Sequence, residues 1–178
     1  KRFQLYGMIA IAIGLLMLVI LVTTIVSRGL GAYQQTFVTL NVELLESKLD
    51  KNGNRDLEEI KKVSTFGYAP LVKTALADAV AGYGIDTSVP AKDMDDLLSK
   101  GAVAQLRDYV IENPDQIGQT VSFEFFASSR VDGYLKGRVS RESIANDKSI
   151  SAEQLDLVDE LIEQGAIRKQ FNLSFITG

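Results

Sequence analysis

Residues 50–61, DKNGNRDLEEIK, place Asp50, Asn52 and Asn54 at the first, third and fifth positions of a calcium loop, where oxygen ligands alternate around a hard divalent cation. The pattern then departs from that chemistry. Its sixth position, where glycine makes the sharp turn, is Arg55, and its twelfth, where a bidentate glutamate belongs, is Lys61. An Asn-Gly turn ahead of a helix is the preferred reading. A second cluster is basic: Arg130, Lys136, Arg138 and Arg141, interleaved with Gly133 and Gly137. These cations could contact an anion or an acidic partner. The alternative is a solvated loop with local ion pairs to Asp132 and Glu142, favoured because no glycine-rich loop opens a helix beside them.

Other chemistry has little to rest on. Ser140, in RVSRE, lacks the glycines of a nucleophile elbow. The closely spaced acids Asp93, Asp95 and Asp96 sit at an expected helix start, where the helix dipole explains them. Asn172-Leu-Ser174 matches a glycosylation sequon, a pattern short enough to arise by chance. The 178 residues include no cysteine and no histidine, which removes disulfides, most zinc sites, Ser-His and Cys-His nucleophiles and the usual neutral-pH proton shuttle. The expectation is a non-catalytic chain with no metal and no cofactor.

Hydropathy patterning supplies the elements that would position these residues. In 36–44, TFVTLNVEL, Val38, Leu40, Val42 and Leu44 alternate with polar residues and predict a half-buried strand. A polar turn region over LESKLDKNGNRD comes next. A helix then starts at Leu57 with Leu57, Ile60 and Val63 on one face, and another starts near Pro70 and ends at the AGYG of 81–84. Residues 85–91 read as a loop. The stretch DMDDLLSKGAVAQLRDYVIENP reads as two helical pieces hinged at Gly101 and stopped by Pro114. A second strand follows, with Val121, Phe123 and Phe125 on one side, and residues 128–149 are ambiguous between a broken helix and a loop. The clearest helix is SAEQLDLVDELIEQG, with Ser151 and Gln154 in a capping box and Gly165 as its stop. A last strand is expected over Ile167 to Phe175. The sum is α+β, with strands near the beginning, middle and end.

Residues 3–27, FQLYGMIAIAIGLLMLVILVTTIVS, carry no charge and are long enough to span the roughly 30 Å bilayer core as a helix. No Ala-x-Ala cleavage pattern follows, so an uncleaved anchor over 1–28 is favoured over a signal peptide, with a glycine-rich joint, RGLG, at 28–31 and one domain over 29–178. Lys1 and Arg2 against Arg28 alone put the N-terminus in the cytoplasm and the domain outside. Gly7, Ala10 and Gly14 form a small-residue stripe that would let a second helix approach, although small residues are also simply common in membrane helices. Of the 19 Lys and Arg, all but Lys1, Arg2 and Arg28 lie in 29–178. There they face 23 Asp and Glu, a formal charge of 16 minus 23, or −7. Such a domain repels anions, and no nucleic acid is expected as a partner.

An ordered set of short segments carries a resemblance. Lys1-Arg2 and Phe3-x-Leu5-Tyr6-Gly7 open the anchor, and Gln35-Thr36 opens the first strand. Ser99-x-Gly101-Ala102, Gln105-Leu106-Arg107-Asp108 and Ile117-Gly118-Gln119-Thr120-Val121 follow. Ala127-Ser128-Ser129, Val131-Asp132, Lys136-Gly137, Gly165-x-Ile167-Arg168, Phe171-Asn172 and Phe175 complete it. In this order, over essentially the whole chain, they resemble the N-terminal extension of the PstA-type permease of the bacterial phosphate ABC transporter, in the form with a large periplasmic insert after the first membrane helix. The resemblance implies an inner-membrane location and three partners: a second permease subunit, an ATP-binding subunit and a periplasmic phosphate-binding protein. It also implies that residues 171–178 lead into a second membrane helix and a permease core, so that the ending is a cut and the residues handling phosphate or coupling to ATP lie elsewhere. The competing expectation is a single-pass periplasmic scaffold or sensor. A membrane-tethered hydrolase would have to draw its acid and base from Asp and Glu alone.

Overall fold

The computed structural model describes residues 2–146 and 149–171. Tertiary contacts divide the chain into a unit containing the N-terminal helix and a compact unit, Thr36–Gln170.

Helix α1 runs Arg2–Ala32, and its apolar segment Gln4–Ser27, 24 residues long, is not buried against the rest of the chain. At 1.5 Å per residue that segment extends about 36 Å, long enough and apolar enough to cross a membrane. An N-terminal helix of this kind serves as an anchor or a signal sequence. Two of its hydroxyls bond within the helix: Thr24 Oγ1 donates to the Ile20 carbonyl at 2.7 Å, and Ser27 Oγ to the Thr24 carbonyl at 3.1 Å. The glycine-rich joint expected at 28–31 is helical, contrary to the sequence reading. Gly29 and Gly31 each lower helix propensity by about 1 kcal/mol, which does not outweigh a ladder already nucleated over seven preceding turns.

In the compact unit, β1 (Gln34–Glu43) is the central strand of a three-stranded sheet of order β2-β1-β3. It pairs antiparallel with β2 (Thr120–Phe126), Val38 opposite Phe125 and Val42 opposite Val121, while β3 (Ile167–Phe171) flanks its other side. The expected alternation holds. Val38, Leu40 and Val42 are buried on the core face, and Phe37 stacks on Phe126 of the other face at 5.1 Å. Residues 172–175 of the expected last strand, and the sequon at Asn172, lie outside the described residues.

The helices cover the core face. A single turn α2 (Glu46–Leu49) occupies part of the expected polar turn, and α3 (Leu57–Ile60) is also one turn. Next, α4 (Thr65–Gly82) starts five residues before Pro70. The proline there forfeits one bond to the carbonyl of Phe66, a residue 87% exposed, where water can serve the released group. The first of the two hinged pieces is one 3-10 turn, Met94–Leu97, and the second is α5 (Ala102–Glu112), with Gly101 at its N-cap. Residues left ambiguous at 128–149 contain α6 (Ser129–Leu135) and a 3-10 turn at Ser143–Asn146. Then α7 (Ala152–Glu163) carries the expected capping box at Ser151 and Gln154. A Schellman closure follows it: Gly165 adopts φ +75°, and Ala166 N–H donates to the Leu161 carbonyl at 2.9 Å.

Candidate functional site

Helix α6 begins where β2 ends, because Ser128 turns the chain and caps the new helix through the Val131 N–H at 3.4 Å. This sets Asp132 one turn into the helix, beside the start of β1. One oxygen of Asp132 accepts from Thr36 N–H at 3.2 Å and Thr36 Oγ1 at 3.0 Å, and the other accepts from Lys136 Nζ at 2.8 Å and Arg138 Nη2 at 3.0 Å. Thr36 is buried, so its hydroxyl needs such a partner. Asp132 therefore joins two elements separated by 96 positions and neutralises two of the four cations singled out from sequence.

Arg141 belongs to a different pairing. Its guanidinium spans Asp156 at 2.7 Å and Asp159 at 2.6 Å on α7, a longer reach than the neighbouring Glu142 expected from sequence. Tyr134 also donates its hydroxyl to Asp159, at 3.1 Å. The hydrogen bonds to Asp159 first, then Asp156, raise the Arg141 pKa further above its ordinary value. Lys136, Arg138 and Arg141 are thus structural cations that stitch α6 and the following loop to β1 and α7. They are not brought together as one anion site.

Arg130 faces a groove of about 790 Å³ between α4, the 94–97 turn, α5 and α6, where Lys73, Asp95, Ser99, Lys100 and Ser128 also lie. Its lining carries charges of both signs. Lys73 pairs with Asp95, and that hydrogen bond raises the lysine pKa, the opposite of what a nucleophilic amine requires. Ser128 caps α6, and Ser99 Oγ accepts from Gly101 N–H at 3.2 Å, so both hydroxyls serve backbone. Asp95, assigned from sequence to a helix dipole, instead holds an ion pair on a single 3-10 turn. Among the described residues no group of three or more carboxylate side chains is arranged to hold a metal ion.

On α1, Gly7, Ala10 and Gly14 are exposed, and a Cβ built at either glycine would meet nothing within 4 Å. The stripe is open to a neighbouring helix.

Sequence reasoning found the cations and the ion pairs of Lys136 and Arg138 to Asp132, but missed the bonds from Thr36 to Asp132 and the burial of Asp50. Lys136 lies four residues after Asp132, a legible helical spacing; Thr36 carries no local signal of the bond.

One family model matches, described as Domain of unknown function (DUF3333), over residues 1–145. No curated protein and no solved structure matches the chain.

Proposed function

We propose, for a chain that belongs to the DUF3333 family, that it is the membrane-anchored N-terminal part of an inorganic phosphate ABC importer permease. Helix α1 holds it in a bacterial inner membrane with the N-terminus cytoplasmic, and the α+β unit is a periplasmic partner-contact surface. The observation that carries this reading is the pairing of an unburied 24-residue apolar helix with a unit whose singled-out cations Lys136, Arg138 and Arg141 are already engaged by its own carboxylates. A unit of that kind presents a shaped polar surface, including the groove at Arg130, and has little to offer a free anion. The resemblance to PstA-type permeases supplies the partners: a second permease subunit, a separate ATP-binding subunit and the phosphate-binding protein.

Topology and reading frame test it together. Residues 1–178 contain no cysteine, so Lys51→Cys at an exposed site puts a single reactive thiol in this stretch, read against the unsubstituted protein. Labelling of intact spheroplasts by a membrane-impermeant maleimide is expected, and protection until lysis would reverse the orientation. Further apolar spans encoded beyond Gly178 support the permease, whereas a stop codon there would replace it with a single-pass periplasmic scaffold.

A further inference from the structure

In the loop between α2 and α3, Arg55 and Lys61 stand where a calcium loop has its glycine and its bidentate glutamate. We propose that this loop keeps the geometry of a divalent-cation loop and that the Arg55 guanidinium occupies the cation's place, making the fold independent of calcium.

Up to its sixth position the backbone follows the cation-loop plan, with Gly53 and Arg55 both at positive φ. Asp50, at the first position, comes directly after α2; Asn52 and Asn54, at the third and fifth, use their side chains elsewhere, Asn52 Nδ2 donating to Glu59 at 2.8 Å and Asn54 Oδ1 accepting from Asp56 N–H at 3.1 Å, and α3 opens at the eighth position, Leu57. The sixth position is reserved for glycine because the chain turns sharply there. Arg55 adopts φ +56° at that position, the left-handed region that L side chains rarely occupy. The arginine thus takes a glycine's conformation, and its side chain folds back into the loop.

What the side chain meets is an oxygen cage. Nη1 donates to Asp50 Oδ2 at 2.7 Å and Glu46 Oε1 at 2.9 Å, and Nη2 donates to the Ile117 carbonyl at 3.0 Å. Two carboxylates and a backbone carbonyl are the ligand types a hard cation takes. Asp50 is 2% exposed and also accepts the N–H groups of Arg55 at 2.8 Å and Asn54 at 3.3 Å, so a buried charge is compensated without a metal. The hydrogen bond from the Arg55 side chain holds the Asp50 pKa below the usual carboxylate value. Gly118, next to Ile117, donates its N–H to the Leu44 carbonyl at 2.6 Å. The guanidinium therefore ties the turn after β1 to the turn before β2, work that a bound ion would otherwise do. The fork geometry matters because one planar group must reach three oxygens at once.

The test uses the full chain in detergent micelles, with thermal unfolding of the α+β unit followed in 10 mM CaCl2, 10 mM MgCl2 or chelator. Wild type is expected to melt at the same temperature, within about 1 °C, in all three. Arg55→Gly, which frees the cage and relaxes the backbone, is expected to melt lower in chelator and to regain about 3–6 °C in calcium but not in magnesium, as a millimolar site would give. Arg55→Lys, which keeps a cation but loses the fork, is expected to be destabilised and insensitive to calcium. A calcium shift in wild type equal to that of Arg55→Gly would overturn the proposal. So would an Arg55→Gly chain with the same melting temperature in calcium and chelator, or one that fails to refold in both.

Discussion

Tyr68 lies wholly inside the core, and its hydroxyl has no hydrogen-bond partner among the described residues. Leaving such a group unpaired costs about 1–3 kcal/mol, so Tyr68→Phe is expected to be neutral or to stabilise by up to about 1 kcal/mol in denaturant unfolding. Burial raises the pKa of that hydroxyl in the folded state. The unfolded tyrosine ionises near pH 10 and the folded one above it, so the unfolded state sheds the proton first. Stability associated with Tyr68 is therefore complete below about pH 10 and falls as pH rises beyond it. Tyr68→Phe should lack this alkaline loss; an identical profile would show that another group causes it. Asp132 makes the opposite case. Because it accepts from buried Thr36 as well as from two cations, Asp132→Ala is expected to cost about 1.5–3 kcal/mol. Arg138→Ala, whose side chain is 65% exposed, is expected to cost less than about 1 kcal/mol. Equal costs would mean that the Thr36 bonds contribute nothing. The ion pairs of Asp132 were legible from sequence because its cations lie within one local cluster, whereas its bond to Thr36 was not, the two residues being 96 positions apart.

At the level of elements, legibility followed the range of the interactions that set each boundary. The strand at Gln34–Glu43 and the helix at Ala152–Glu163 were readable because alternation, capping box and glycine stop all act within a few residues. Ser151→Ala is accordingly expected to destabilise by about 1 kcal/mol through loss of the Gln154 N–H bond. Gly165→Ala, at φ +75°, is expected to cost a similar 1 kcal/mol or so, and thermal melts of the two variants measure both. No change in either would mean that α7 is held by packing alone. The start of α4 was misplaced because proline is a strong local signal for a first turn. The earlier turns are recruited by burial of Tyr68 beneath them. Likewise α2 escaped notice because one turn of helix has no periodicity to display.

For the molecule as a whole, two properties are separable. The unburied helix α1 has membrane-spanning length and hydropathy, and the formal −7 of residues 29–178 shapes what the rest can attract. A domain of that charge lowers the local concentration of anions. Isothermal titration of inorganic phosphate into the full chain in micelles is therefore expected to give no specific heat at micromolar concentrations. Saturable micromolar binding would return the groove at Arg130 to consideration as an anion site.

The amino-acid sequence by itself determined the apolar helix, the α+β class, the central strand and the best-capped helix, because each follows from periodicity, capping or composition over a short span. Tertiary structure alone decided how the charges are spent. Whether Arg55 replaces a cation, and whether the basic cluster is an anion site or a set of internal ties, depends on where Asp50, Ile117, Asp132, Asp156 and Asp159 arrive in space. Electrostatic pairing acts over a few ångströms of distance, and the fold brings together groups that the chain keeps far apart.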